Sequence, residues 1–283
     1  MDFKDKNVLI TGAASGLGRS LAIKLARLGA KEMLLDISED GLKETCAAIT
    51  SAGGMAVSCK VDVTRQEDID RAREMVQQSH PAIDILIACA GILTTKGFGD
   101  TYADYEKIMA VNVNGYARTI FSFLPLLGRD AGGKQPSLKR GLVITISSMA
   151  GLVMTPNLQF YGISKAATRA MAKALRQHYW MASQPHMKVM NVNPPQFDTQ
   201  LYVNSDLDAW IAKLRRQKKI PSPDTIADIV IKAARKNKEP QEVYPTALAR
   251  LGAFGARWFP GLIEYSARAY YKKNQKAGPA PGS

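Results

Sequence analysis

Short apolar runs alternate with amphipathic helical patterns from residue 7 to residue 245, and this alternation restricts the fold more tightly than any other property of the chain. Asn7–Thr11 is the first run, too brief for a helix. A glycine-rich turn follows, and the pattern from Ser20 onward is helical until Gly29 stops it. Further strand-like runs stand at 32–36, 56–61, 83–88, 141–146, 186–192 and 242–245. Helical patterns stand at 102–127, 159–181, 201–220 and 224–236, and a Gly/Pro/Ser/Lys loop at 130–140. Such alternation predicts one α/β domain over 1–245, a doubly wound parallel sheet with helices on both faces. Residues 246–276 predict an extra C-terminal helical segment, packed on that domain or on a partner subunit, and 277–283 a flexible tail.

The turn after the first run reads Thr11-Gly12-Ala13-Ala14-Ser15-Gly16-Leu17-Gly18. Glycines there let a ligand approach the backbone, and the helix start behind them offers free N–H groups to a pyrophosphate. Strand, glycine turn and helix in this order are the Rossmann-type arrangement for a dinucleotide. The second run ends at Asp36, 18 residues past Gly18, where a carboxylate can accept the hydroxyls of an adenosine ribose. Its charge would repel a 2′-phosphate, and Ser15 and Ile37 supply no cation for one, so NAD(H) is favoured over NADP(H). A helix cap is the bland alternative for Asp36, although Ser38 suits that role better. Asp62, followed by Val63, fits either an adenine contact or an N-cap. Ala90-Gly91 offers a backbone small enough for a cofactor to lie across.

Ile146-Ser147-Ser148 leads to Tyr161-Gly-Ile-Ser-Lys165 at the start of a long helical pattern. Residues four apart share a helix face, with Cβ atoms about 6 Å apart. An ammonium so placed is expected to lower the phenol's pKa from about 10, making Tyr161 a proton-transfer group near neutrality. Ser148 can hydrogen-bond the same substrate oxygen. Asn112 stands among Met109, Val111 and Val113 in the middle of a helical pattern, where its amide competes with the backbone. A kink, a bound water or plain exposure would each explain it.

Together these residues resemble the short-chain dehydrogenase/reductases, in the shorter branch marked by T-G-x-x-x-G-x-G and Y-x-x-x-K, over roughly residues 5–245. The resemblance implies interconversion of a secondary alcohol and a ketone with a nicotinamide cofactor. Tyr161 would be the acid/base, and Lys165 its electrostatic partner and a ligand to the nicotinamide ribose. Ser148 would polarise the substrate oxygen, with Ser147 second in rank, and Asn112 would hold a relay water. Thr11, Gly12, Ser15, Gly16, Leu17, Gly18, Asp36, Asp62, Val63, Ala90, Gly91, Pro194 and Thr199 would line the cofactor. Two positions depart from the family pattern: Cys89 replaces the usual Asn before Ala-Gly, and Pro195 the usual Gly after Pro194. The family's pocket would draw on Met149, Leu152, Val153, Met154, Phe160, Phe197, Leu201, Tyr202 and Trp210, which points to a hydrophobic lipid, steroid or terpenoid-like substrate. A non-catalytic NAD-binding regulator or scaffold of the same fold is the rival reading.

Composition narrows the partners. The formal charge is +13, and residues 201–283 alone hold 15 basic against 7 acidic residues. No zinc spacing, RNA-binding signature or helix-turn-helix pattern accompanies this charge, so a nucleic-acid partner is not expected and neither is a metal. The segment 246–273 mixes aromatics with Arg250, Arg257, Arg268, Lys272 and Lys273. It can meet an anionic membrane, cover the pocket or pack on a second subunit, the last two being favoured. Cys46, Cys59 and Cys89 form no C-x-x-C pair, which fits a reducing compartment. With no signal-peptide pattern at the start, a cytoplasmic location is expected. Apolar outer faces on 102–127 and 159–181 favour a homodimer or homotetramer.

Overall fold

The computed structural model describes residues 2–79, 82–95, 97–128, 141–202, 205, 207–217, 219–236 and 241–275. The expected loop at 130–140 and tail at 277–283 lie outside them, as does the Trp210 side chain. Strands β1 (Asn7–Thr11), β2 (Lys31–Asp36), β3 (Met55–Lys60), β4 (Ile85–Ala88), β5 (Gly141–Ile146), β6 (Met187–Val192) and β7 (Glu242–Val243) form one sheet in the order β3-β2-β1-β4-β5-β6-β7. Every pairing is parallel. Strand bounds differ from the sequence expectation by a residue or two, as at β3 and β4, because ladder pairing rather than hydropathy ends a strand.

Alternation along the strands divides the interior in two. Val8, Ile10, Leu34, Ile85, Ile87, Ile144 and Val192 face α1 (Gly16–Arg27), α2 (Glu39–Ser51) and α8 (Pro223–Ala234). Leu9, Met33, Leu35, Leu86, Val143 and Val189 face α3 (Gln66–Ser79), α5 (Tyr116–Phe123) and α6 (Gln159–Met181). β4 contributes to both layers with all four residues buried, so its run is apolar without alternation. Connections leave β1 and β4 toward opposite faces. The crevice beyond their C-terminal ends is where such a sheet binds ligands.

The helix expected over 102–127 is not continuous. α4 (Tyr102–Met109) passes into a π-helical turn, Ala110–Gly115, before α5 begins. Of the explanations for Asn112, exposure is excluded: the residue is 1% exposed inside the π turn. The helical pattern at 201–220 is shorter than expected, reduced to a 3-10 turn at Gln200–Tyr202 and α7 (Asp208–Arg216). The last strand is only two residues long, yet its Glu242 gathers four donors. Asn191 Nδ2 at 3.0 Å, Asn193 Nδ2 at 2.9 Å, Arg169 Nε at 3.2 Å and Arg176 at 3.1 Å all reach this carboxylate. Beyond it, α9 (Ala247–Trp258) and α10 (Pro260–Gln275) pack on each other, Gly255 against Ile263.

Candidate active site

Gly12 and Gly16 hold positive φ values of 71° and 53°, which side-chain-bearing residues rarely adopt. A β-carbon on Gly12 would lie 2.8 Å from Ala90 N, and one on Gly18 would overlap the Gly12 carbonyl. These two glycines let β1, the start of α1 and the end of β4 close on one another. At Gly16 the neighbour is instead Thr199 Oγ1, at 3.1 Å from such a β-carbon. Thr199 thus faces the glycine turn from across the crevice. Ser15 is the N-cap of α1 and makes no side-chain capping bond, so the helix start keeps amide N–H groups for an anion.

Thr11 Oγ1 accepts from the N–H groups of Cys89 at 3.2 Å and Ala90 at 3.3 Å, bracing the end of β4. Burial pushes the pKa of the Cys89 thiol up to about 11. Asp36 accepts from Ala14 N at 3.0 Å and Ser38 N at 2.9 Å, while Ser38 itself caps α2. Asp62 is not the cap of α3, which starts four residues later; its carboxylate holds Thr64 N at 2.9 Å and Thr64 Oγ1 at 2.7 Å. Val63 is 8% exposed and packs on Gly115 of the π turn. The Pro194 carbonyl accepts from Met149 N at 3.0 Å, joining the segment after β6 to the segment after β5.

Tyr161 and Lys165 sit one turn apart near the start of α6. The ammonium lies 5.6 Å from the phenol ring centroid and donates to the Ile146 carbonyl at 2.9 Å. Ser148 and Tyr202 both lie close enough to the phenol to act on it electrostatically. Ser147 is engaged elsewhere, since its hydroxyl donates to the Lys165 carbonyl at 2.7 Å and the residue is 2% exposed. Ser148 is therefore the serine that faces Tyr161.

The expected depression of the Tyr161 pKa is not found. Burial raises it above its ordinary value, and the nearby Ser148 hydroxyl only partly opposes this. The Lys165 amine is directed at a backbone carbonyl instead of the phenolic oxygen, and burial draws its own pKa down to about 8. Sequence spacing places the two groups; it does not say how dry the site is.

Asn112 fixes the region behind them. Its Oδ1 accepts from Ile92 N at 2.8 Å, and its Nδ2 donates to Ile92 O at 2.9 Å and Ser164 Oγ at 2.9 Å. Ser164 in turn donates to the Tyr161 carbonyl at 2.7 Å. A β-carbon on Gly91 would lie 3.2 Å from Asn112 Oδ1 and 3.3 Å from Lys165 Nζ, so both groups flank that glycine. Sequence reasoning misses Ser164. A serine on a helix carries no signal of its own, and only the packing of α6 on the π turn reveals the link.

Around the phenol, Tyr202 is buried and Met149 half-buried, whereas Met154 is 43% exposed and lies over Gly162. Phe197 packs against the α1 side of the core. The Phe160 ring is turned away, edge-on to Phe98 and Tyr105 at 5.2 Å each.

Known proteins match this chain in sequence and in fold. The family model described as short chain dehydrogenase matches residues 6–210. The chain therefore belongs to the short-chain dehydrogenase/reductase family of oxidoreductases. Among curated relatives, "Probable oxidoreductase EphD" of Mycobacterium bovis is 30% identical over 280 residues, covering 94% of this chain and 45% of that protein. The chain thus spans about half the length of the first curated relatives it matches. An "Uncharacterized oxidoreductase" of Thermotoga maritima is 36% identical over 180 residues, 63% of this chain and 68% of that protein. A Burkholderia phymatum short-chain dehydrogenase/reductase in complex with NAD superposes with a TM-score of 0.77 at 22% identity, over 91% of this chain and 96% of that one. A Shigella flexneri short-chain dehydrogenase complexed with NADP gives 0.72 at 22% identity, over 86% and 98%. At these identities the two structures speak to the fold alone.

Proposed function

We propose that the protein is an NAD(P)-dependent alcohol dehydrogenase or ketoreductase acting on a hydrophobic secondary alcohol or ketone, with NAD(H) preferred. The observation that carries this reading is the Tyr161 phenol beside Ser148, with Lys165 one turn behind, at the sheet end that also holds the glycine turn. The residues fit a dinucleotide. The uncapped start of α1 suits its pyrophosphate, Asp36 its adenosine ribose and Thr199 its carboxamide, while Asp62 and Val63 border the adenine end and Ala90-Gly91 the middle. A bound nicotinamide supplies the hydride acceptor or donor.

The chain's own residues then handle the proton. Ser148 and Tyr161 hold the carbonyl oxygen between them, and Tyr161 gives its proton as that oxygen becomes an alkoxide. Burial keeps the phenol protonated at neutral pH, which suits reduction. Oxidation of an alcohol requires the phenolate, so Lys165 must lend its charge as the proton leaves. Asn112, fixed to Ile92 and Ser164, is the residue positioned to connect Lys165 with water. Tyr202, Met149 and the neighbouring Met154, Phe197 and Leu201 give an apolar wall for the rest of the substrate. Tyr102, Phe121, Trp180 and Met181, each more than 70% exposed on the two long helical stretches, support a homodimer or homotetramer.

Tyr161→Phe tests the reading. Turnover of a ketone panel should fall by roughly 10²–10⁴-fold while cofactor binding, followed by calorimetry, is retained. A wild-type chain that binds NAD(H) and turns over none of the panel is the regulator or scaffold instead. Best turnover on small polyols or sugar acids would refute the hydrophobic pocket.

A further inference from the structure

α9 is turned inside out for a surface helix. Its buried and half-buried positions are the small residues Ala249, Gly252, Ala253, Gly255 and Ala256. Its large apolar residues point outward at spacings of 3, 3 and 4: Leu248 is 77% exposed, Leu251 68%, Phe254 58% and Trp258 60%. Past the helix break further large apolar residues are exposed: Phe259 at 56%, Leu262 at 63% and Tyr265 at 71%. With about 150–250 Å² per large side chain, the four on α9 alone expose roughly 500 Å², at the upper end of the largest apolar patch of an ordinary monomer.

Charge says what such a face fits. α9 carries no acidic residue, and its exposed Arg250 and Arg257 flank the stripe. Across residues 246–275 there are five basic residues against the single Glu264, which Arg268 already pairs at 3.4 Å. The Arg257 guanidinium lies 5.6 Å from the Trp258 ring centroid, a cation and an aromatic side by side at the helix end. Leu, Phe and Trp on one side with arginines along its border is the composition of a helix that lies in a membrane interface. Among the described residues no helix is long and apolar enough to cross a bilayer, so the face would rest on one.

We propose that α9 and α10 form a docking face for the surface of an anionic lipid bilayer. The inner side of α9 meets Met149, a β-carbon on Gly252 falling 3.2 Å from its Cε, so docking holds the loop beside Ser148 at the lipid surface. Lipid contact outside and cover for the loop inside are compatible roles for one helix. The docking itself does not depend on the chemistry proposed for Tyr161.

Flotation of the full chain with vesicles tests this, comparing phosphatidylcholine alone with phosphatidylcholine containing about a third phosphatidylserine. The wild-type chain should float with the anionic vesicles and much less with the neutral ones. Leu251→Ser/Phe254→Ser/Trp258→Ser should reduce partitioning by at least about tenfold, and Arg250→Glu/Arg257→Glu by about tenfold. Unchanged melting of both variants shows that the chain has not simply unfolded. Absence of flotation with either vesicle, or flotation that survives the triple substitution, overturns the proposal. So does a dimer, seen by light scattering without lipid, that dissociates on the triple substitution, because a second copy would then own the face.

Discussion

Glu32 sits in the middle of β2, paired in register with Val8 on one side and Ala56 on the other, and is 1% exposed. Both carboxyl oxygens are buried without a hydrogen-bond partner among the described residues. The neighbouring residue on its side of the strand, Leu34, belongs to the core layer against α1 and α2. Burial raises its pKa well above the 4.5 of a free glutamate, so the folded chain holds a neutral acid. Above about pH 4.5 the unfolded chain releases this proton and the folded chain keeps it. The unfolded state then binds fewer protons, and stability falls as pH rises, by up to about 1.4 kcal/mol per pH unit until the folded pKa is reached. An unpaired buried polar group adds a pH-independent cost of about 1–3 kcal/mol. Glu32→Met removes both. It should stabilise the protein by at least about 1–3 kcal/mol, the unpaired-group cost alone, with a larger gain near pH 7 than near pH 5. Urea unfolding of wild type and variant between about pH 5 and pH 8 measures the difference, in which every other titrating group cancels. Glu32→Gln should flatten the pH dependence while keeping the unpaired-group cost. If the wild-type and Glu32→Met curves run parallel across that range, Glu32 does not titrate as a buried neutral acid and the reasoning fails.

Two further outcomes follow from the site. Asp36→Ala/Ile37→Arg should move cofactor preference from NAD(H) toward NADP(H) by about tenfold or more in kcat/KM, since it removes a charge that repels a 2′-phosphate and adds one that binds it; an unchanged preference would mean Asp36 serves only Ala14 and Ser38. Alcohol oxidation should rise with pH through the neutral and mildly alkaline range while ketone reduction stays flat or declines, because burial holds Tyr161 in its protonated form; parallel pH profiles in the two directions would contradict the proposed proton path.

How much of the molecule is legible in the sequence depends on the kind of information each residue carries. Asn7–Thr11 with Gly12, Gly16 and Gly18 announces its strand, turn and helix because periodicity and backbone permissiveness are local properties. Asn112 signals a fault in a continuous helix, but a π turn leaves no hydropathy signature of its own. Only the family resemblance ranks Ser148 above Ser147 in sequence; a bond from the Ser147 hydroxyl to the Lys165 carbonyl separates them physically. The direction of the Tyr161 pKa shift is opposite to the one its spacing implies, because spacing reveals a nearby charge and not the depth at which both groups lie. Likewise, amphipathicity in 246–273 shows that α9 has two faces without showing which turns inward.

The short edge strand β7 has a consequence for where the fold can be cut. Asn191 and Asn193 precede the Pro194 segment, Arg169 and Arg176 belong to α6, and all four converge on the one carboxylate of Glu242. A two-residue strand therefore works as a latch, fastening the helix that bears Tyr161 to the loop that bears Thr199. A fragment ending before that latch would hold most of the sheet and leave four donors facing an empty place.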